Sequence, residues 1–170
     1  MALEKCNIRE DKILQDFNVL SKDGQKFPCH RIFLASQSPV MMAMMTHDMK
    51  ETQESEVKLD YNGEIVKHFV EYFYTGTVPQ RVLQENLESF LQLSESYDLT
   101  RLKFQTEEAG IDMLTVENMV EIFALADHYC AYKLLEVSEF LIKTNRKALK
   151  NQDLSEVPQE VFAAIFKMLC

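Results

Sequence analysis

Tryptophan is absent from the 170 residues, and glycine, proline and cysteine occur only four times each. So few glycines leave little with which to build a phosphate-cradling loop, and so few turn formers favour helices over a many-turned β fold. Cys6, Cys29, Cys130 and Cys170 form no CxxC pair and fit no zinc spacing. Unpaired cysteines beside nine methionines suit a reducing compartment. No run of residues has the pattern of a secretory signal or the length of an apolar membrane span. Basic residues are in the minority, 18 Lys and Arg against 27 Asp and Glu, and a net charge of -9 repels phosphate backbones. Nucleic acid and membrane are therefore not expected partners. The densest basic stretch, 143–150, alternates with apolar residues and reads as a helix end.

Catalytic constellations are missing too. His30, His47, His68 and His128 show neither a metal nor a triad spacing, and no serine sits in a nucleophile elbow. The methionines from Met41 to Met49 offer thioethers, but no His or Cys is spaced to complete a soft-metal site. Methionine in such a run is adaptable core or a partner-facing surface. No catalytic residue, cofactor or metal is expected, and the chain is not expected to be an enzyme.

What is present is a globular mix, with 46% apolar residues, enough to bury a core without disulfides. From Leu14 to Leu20, Phe17 and Val19 alternate with Asp16 and Asn18, a half-buried strand. Asp23-Gly24 marks a hairpin turn and 26–29 the returning strand, in which Pro28 must lie at an edge or an end. Ile32 to Ala35 fits a compact helix. Ser38-Pro39 starts another, with Ser38 as cap and Pro39 at the first helical position. Val57 and Leu59 suggest a third short strand. Helical spacing continues over 63–74, stopping at Thr75-Gly76, and again over 84–95. Leu99, Leu102 and Phe104 resume the apolar pattern after a break. Thr115 with Asn118 and the apolar run Met119, Ile122, Phe123 and Ala126 opens another helix, further helices are predicted over 132–148 and over 157–169, and residues 1–13 read as a short amphipathic helix. Strands with helices and then helices alone make an α+β domain over 1–109 and a helical extension over 110–170, with the seam near Gly110. The charges at Glu107-Glu108 and around Glu85 and Glu88 read as solvated helix faces.

Several segments carry a resemblance. They are Asp16-Phe17-Asn18-Val19, the Asp23-Gly24 turn, Phe27-Pro28-Cys29-His30-Arg31, and Leu34-Ala35-Ser36-Gln37-Ser38-Pro39-Val40. With Tyr74-Thr75-Gly76 and the stretch from Leu93 to Leu102, they resemble a BTB/POZ domain. The resemblance implies the BTB/POZ fold, a small three-stranded sheet with helices. Leu114 to Ile142, with Asn118, Ala124-Leu125-Ala126-Asp127 and Phe140-Leu141-Ile142, resembles the two-helix segment after this domain in speckle-type MATH–BTB adaptors. In those adaptors the segment adds a second surface for cullin-3, and the final helix looks like the start of a longer, BACK-like region. The substrate-reading MATH domain has no counterpart in the sequence, which leaves a fragment, another recognition device, or none.

The resemblance implies a cullin-binding site at Met49-Lys50-Glu51, an apolar–any–Glu motif on the loop after the helix bearing Met44 and Met45. An apolar knob fills a pocket on the partner and a glutamate fixes orientation at the rim. Lys50 departs from close relatives, which are acidic there. His47, Asp48, Met45, Tyr97 and Asp98 are placed near the same partner. Leu3, Ile13 and Leu14 are expected at a two-fold dimer interface, or simply packed on their own domain. Asp16, His30 and Arg31 match a polar triplet that is a peptide-binding pocket in the transcription-factor branch. Here they are read as a structural cluster, with an internal ion pair and a satisfied histidine. The expected function is a homodimeric adaptor that recruits the cullin-3 N-terminal region and presents an unidentified substrate for ubiquitination inside the cell, in nucleus or cytoplasm. The alternative is a dimerisation scaffold or transcription cofactor with no ligase role.

Overall fold

The computed structural model describes residues 14–46, 54–151 and 159–169. They fall into two compact units. One comprises the described residues up to Val78 with Ser96–Leu102, the other Pro79–Glu95 with those from Lys103 onward.

In the first unit, β1 (Phe17–Leu20) pairs antiparallel with β2 (Lys26–Cys29) and parallel with β3 (Glu56–Lys58), in the order β2-β1-β3. The alternation of β1 is that of a strand with one buried face: Phe17 and Val19 are buried, Asn18 and Leu20 half-buried. Gly24 takes φ +81, and the turn closes with the Gly24 N–H on the Ser21 carbonyl at 3.1 Å. The Ser21 hydroxyl binds Asp23, holding that carboxyl below its ordinary range. Pro28 is tolerated because β2 is an edge strand.

Helix α1 (Arg31–Gln37) is followed by α2 (Pro39–Thr46), whose first turn is capped as the sequence predicts: Met41 N–H donates to Ser38 Oγ at 3.0 Å. In α3 (Gly63–Thr75), Asn62 Oδ1 accepts from Ile65 N–H at 3.0 Å at the start. Gly76 ends the helix at φ 71, its N–H on the Tyr72 carbonyl. The buried stripe of α3, Ile65, Val66, Phe69, Val70, Tyr72 and Phe73, forms the apolar face the spacing predicts.

The predicted helix over 84–95 is two helices, α4 (Gln80–Glu85) and α5 (Leu87–Ser96). Asn86 breaks them. Its backbone leaves the helical region (φ -134, ψ 39), and its side chain and backbone N–H both bind the Val82 carbonyl. After Asp98 at φ 50, α6 (Thr100–Asp112) begins, and Gly110 lies inside it rather than in a linker.

In the second unit, α7 (Met119–His128) packs along α8 (Tyr132–Thr144). The predicted helix to 148 stops at Thr144 because Asn145 turns its side-chain and backbone N–H groups onto the Leu141 carbonyl. A 3₁₀ turn (Ala148–Asn151) and α9 (Gln159–Leu169) come next. Two apolar clusters hold this unit: Leu87, Leu91, Ile122, Ala126, Ala131 and Leu134, and a second formed by Met119, Val120, Phe123, Ile142, Leu149, Val161 and Ile165.

Candidate interaction surfaces

Helix α2 leads from the Tyr97–Asp98 junction to the segment beginning at His47. Ser38 Oγ, at its start, donates to the Tyr97 carbonyl at 2.6 Å. Eight residues further on, about 12 Å at 1.5 Å per residue, the described helix ends at Thr46. Tyr97 is half-buried, its ring 5.5 Å from that of Phe69, and Asp98 is exposed. Met45, expected at the cullin contact, is only 5% exposed. Helical periodicity puts it one turn beyond the buried Met41, on the inward face, and leaves Met42 outward. The other expected contacts, His47, Asp48, Met49 and Glu51, lie outside the described residues, as do Leu3 and Ile13.

Leu14, the remaining residue expected at the dimer interface, is 82% exposed. Ile32 on α1 is 68% exposed and is not marked by the sequence motifs. A signal for it does exist: four successive apolar residues, Ile32 to Ala35, cannot all face one side of a helix, and Leu34 and Ala35 are the buried ones.

Asp16, His30 and Arg31 do come together, but not as an ion pair between side chains. Asp16 is exposed, and its Oδ1 accepts the backbone N–H of Arg31 at 2.8 Å. That N–H opens α1, and the residue before it, His30, supplies no side-chain cap. The guanidinium lies over the Phe17 ring, 5.5 Å from its centroid, and Nη2 donates to Ser55 Oγ at 3.1 Å. His30 is buried and satisfied: its N–H and its Nδ1 both meet the Tyr74 hydroxyl at 2.8 Å, and Phe33 packs on both rings. This cluster positions α1 against β1 and α3.

The second unit exposes aromatic side chains at Phe104, Tyr132, Phe140, Phe162 and Phe166. Leu102 is buried as the apolar pattern predicts, whereas Phe104 points outward beneath the Lys133 ammonium, 4.7 Å from the ring centroid. Lys133 also pairs with Glu108. Glu107 overturns the expectation of a solvated acidic face, being 8% exposed, with Oε1 accepting the Lys133 backbone N–H at 3.3 Å. Burial pushes its carboxyl above the usual carboxylate range, against the pull of that N–H and of the Lys103 and Lys133 ammonium groups. No signal in the sequence reveals Glu107, because its partner amide lies 26 residues away.

Among the described residues no group of three His, Cys, Asp or Glu side chains could hold a metal ion, and no helix is long and apolar enough to cross a membrane. The described residues leave Leu14 and Ile32 of the first unit and several aromatic side chains of the second exposed. A family model described as BTB/POZ domain matches residues 6–114, a span that takes in the whole sheet and the helices α1 to α6. With its three-stranded sheet, its surrounding helices and that match over more than half its length, the chain belongs to the BTB/POZ family and carries that family's protein-interaction module.

Proposed function

We propose that this chain is a non-catalytic adaptor that pairs with a second copy of itself and recruits cullin-3, so that a bound substrate is presented for ubiquitination inside the cell. The observation that carries this reading is the helix pair C-terminal to the family match. Beyond residue 114, α7 and α8 pack along each other, sharing one apolar cluster with Leu87 and Leu91 of α5 and a second with Leu149, Val161 and Ile165, and a bare dimerisation module does not need them. Met49 and Glu51 supply the apolar knob and the rim acceptor, on the segment directly after α2. Asp98, exposed beside the start of α2, is available to the same partner, whereas Met45 is better understood as the packing that holds α2 in place. Leu14 and Ile32 are apolar side chains that a second copy would take out of water. A two-fold pair holding two cullins would raise the effective concentration of ligase around one substrate.

Calorimetry of the purified chain with the N-terminal region of cullin-3 tests the proposal. Binding is expected, and is expected to be lost in Met49→Asp and weakened in Glu51→Lys. No binding by the unaltered chain would leave a dimerisation scaffold. Binding indifferent to both substitutions would remove the motif from the interface. Sedimentation at several concentrations tests the pairing, with Ile32→Glu expected to shift it toward monomer.

A further inference from the structure

Asn62-Gly63, at the start of α3, is the kind of residue pair in which a side-chain amide is most easily attacked by the next backbone nitrogen, because glycine has no Cβ to block the approach. In the folded first unit the pair is held from two directions. Within α3, Asn62 Oδ1 accepts the Ile65 N–H at 3.0 Å and the Asn62 carbonyl accepts the Val66 N–H at 3.1 Å. From outside, the β1–β2 turn lies along the segment that leads into the helix. Leu59 N–H donates to the Leu20 carbonyl and Lys22 N–H to the Tyr61 carbonyl, both at 2.8 Å. Gly63 N–H faces Asp23 Oδ2 at 3.4 Å, and the Gln25 carboxamide lies 2.4 Å from where a Cβ of residue 63 would stand. That carboxamide is itself tied to Asp23, Nε2 donating to Oδ2 at 2.8 Å.

These contacts oppose the geometry of attack. Ring closure needs the Gly63 nitrogen to give up its proton and swing onto Asn62 Cγ, which requires rotation about the Asn62 Cα–C bond. That bond stands at ψ 165 and the peptide beyond it is rigid, so the rotation carries the Gly63 N–H off Asp23 and the Asn62 carbonyl off Val66. The Asp23 carboxylate beside the Gly63 N–H also disfavours loss of its proton. Asn62 is exposed, so water is at hand for any later hydrolysis.

We propose that Asn62 is a latent deamidation site, shut in the folded first unit by the β1–β2 turn and opened when that turn leaves the start of α3. The Gly63 nitrogen then bonds to Asn62 Cγ, the Cγ–Nδ2 bond breaks, and ammonia leaves with the proton of the backbone amide. Water opens the resulting succinimide at one carbonyl or the other, giving aspartate or isoaspartate. Aspartate keeps a cap and places a negative charge at the helix start, which favours the helix. Isoaspartate routes the main chain through an extra methylene and takes the cap out of register with the Ile65 N–H. Since α3 carries Phe69 and the buried stripe of this unit, that product turns a passing opening into a lasting change in how its core is held.

The test uses the full chain, incubated at neutral pH either folded or in urea and followed by peptide mapping with mass spectrometry. Conversion of the residue 62 amide to an acid should be at least about tenfold slower in the folded chain, since the reaction then waits on a local opening. Equal rates overturn the proposal. Asp23→Ala removes the acceptor of the Gly63 N–H, and Gln25→Ala removes the carboxamide that covers Gly63. In each, conversion in the folded chain should quicken by about fivefold, the scale of one lost hydrogen bond, while conversion in urea stays as it was. Gly76→Ala is the contrast, because it weakens the far end of α3 and leaves the turn in place. It should leave conversion little changed. If Gly76→Ala quickens the reaction as much as the two turn variants do, or if neither turn variant quickens it, the turn is not the lock and the proposal is overturned.

Discussion

Helices α3 and α8 are the same length, 13 residues each, yet their ends are secured differently. In the first unit α3 is stopped at both ends by its neighbours in sequence, Asn62 at the start and Gly76 in the left-handed region at the finish. In the second unit α8 starts on Ala131 and relies on Glu107 from another helix. The turn into it uses Cys130 at φ 50, in the position where α3 uses glycine. That turn is a six-to-one closure, with Ala131 N–H on the Ala126 carbonyl at 2.8 Å, the geometry that prefers glycine. Helix α1 stands between the two cases, its first N–H taken by Asp16 from across the hairpin. Ends secured locally can be written by two or three residues. Ends secured from elsewhere depend on the rest of the unit being folded.

This contrast concerns ends rather than interiors, so the largest effects should be alike in the two units. Phe69, fully buried, edge-on to the Phe73 ring and in contact with that of Tyr97, should cost about 3–5 kcal/mol on truncation to Ala. Leu134→Ala, in the cluster with Leu87 and Ile122, should cost about 2–5 kcal/mol. Denaturant unfolding measures both, and a cost near zero for Leu134 would mean that the second unit lacks a close-packed core. Next in size is Ser38→Ala. It removes the cap of α2 and the hydroxyl's hydrogen bond to the Tyr97 carbonyl, an expected loss of about 1–3 kcal/mol by the same measurement.

The two left-handed positions should then move in opposite directions. Gly76→Ala strains φ 71 and brings a Cβ to 3.0 Å from Arg101 Nη1, which should lower stability by about 1 kcal/mol. Cys130→Gly relieves the matching strain and should raise stability by about 1 kcal/mol. If both substitutions lower the melting temperature, the second turn does not have the geometry of the first. The smallest effect is expected at the surface pair Lys22–Asp60. Both side chains are more than two-thirds exposed, and Lys22→Ala should change stability by less than about 0.5 kcal/mol.

The fate of each sequence-based expectation obeys the same division. The hairpin at Asp23-Gly24, the cap at Ser38, the stop at Gly76 and the apolar stripe of α3 were legible because each is set by residues within a few positions of one another. The break at Asn86 was not, since Leu83, Leu87 and Leu91 keep a helical spacing straight across it and all three are buried. The burial of Met45 and the exposure of Met42 and Phe104 were hidden for a related reason. An apolar side chain states that it can be buried, and its neighbours in space decide whether it is.

Among the candidate contact residues, Leu14 and Asp98 are exposed as a contact requires, and Tyr97 is partly used by its own unit. By itself the sequence determined a small sheet with helices, a helical continuation and the residues that match the BTB/POZ pattern, because periodicity, turn chemistry and caps act over one or two turns of chain. Only the tertiary structure decided that Asp16 caps a helix rather than pairing with a guanidinium. It alone turned Ile32 outward and carried Glu107 into the start of α8. Each of those outcomes depends on groups brought together by folding from 15 or more residues apart, or on which face a folded neighbour covers.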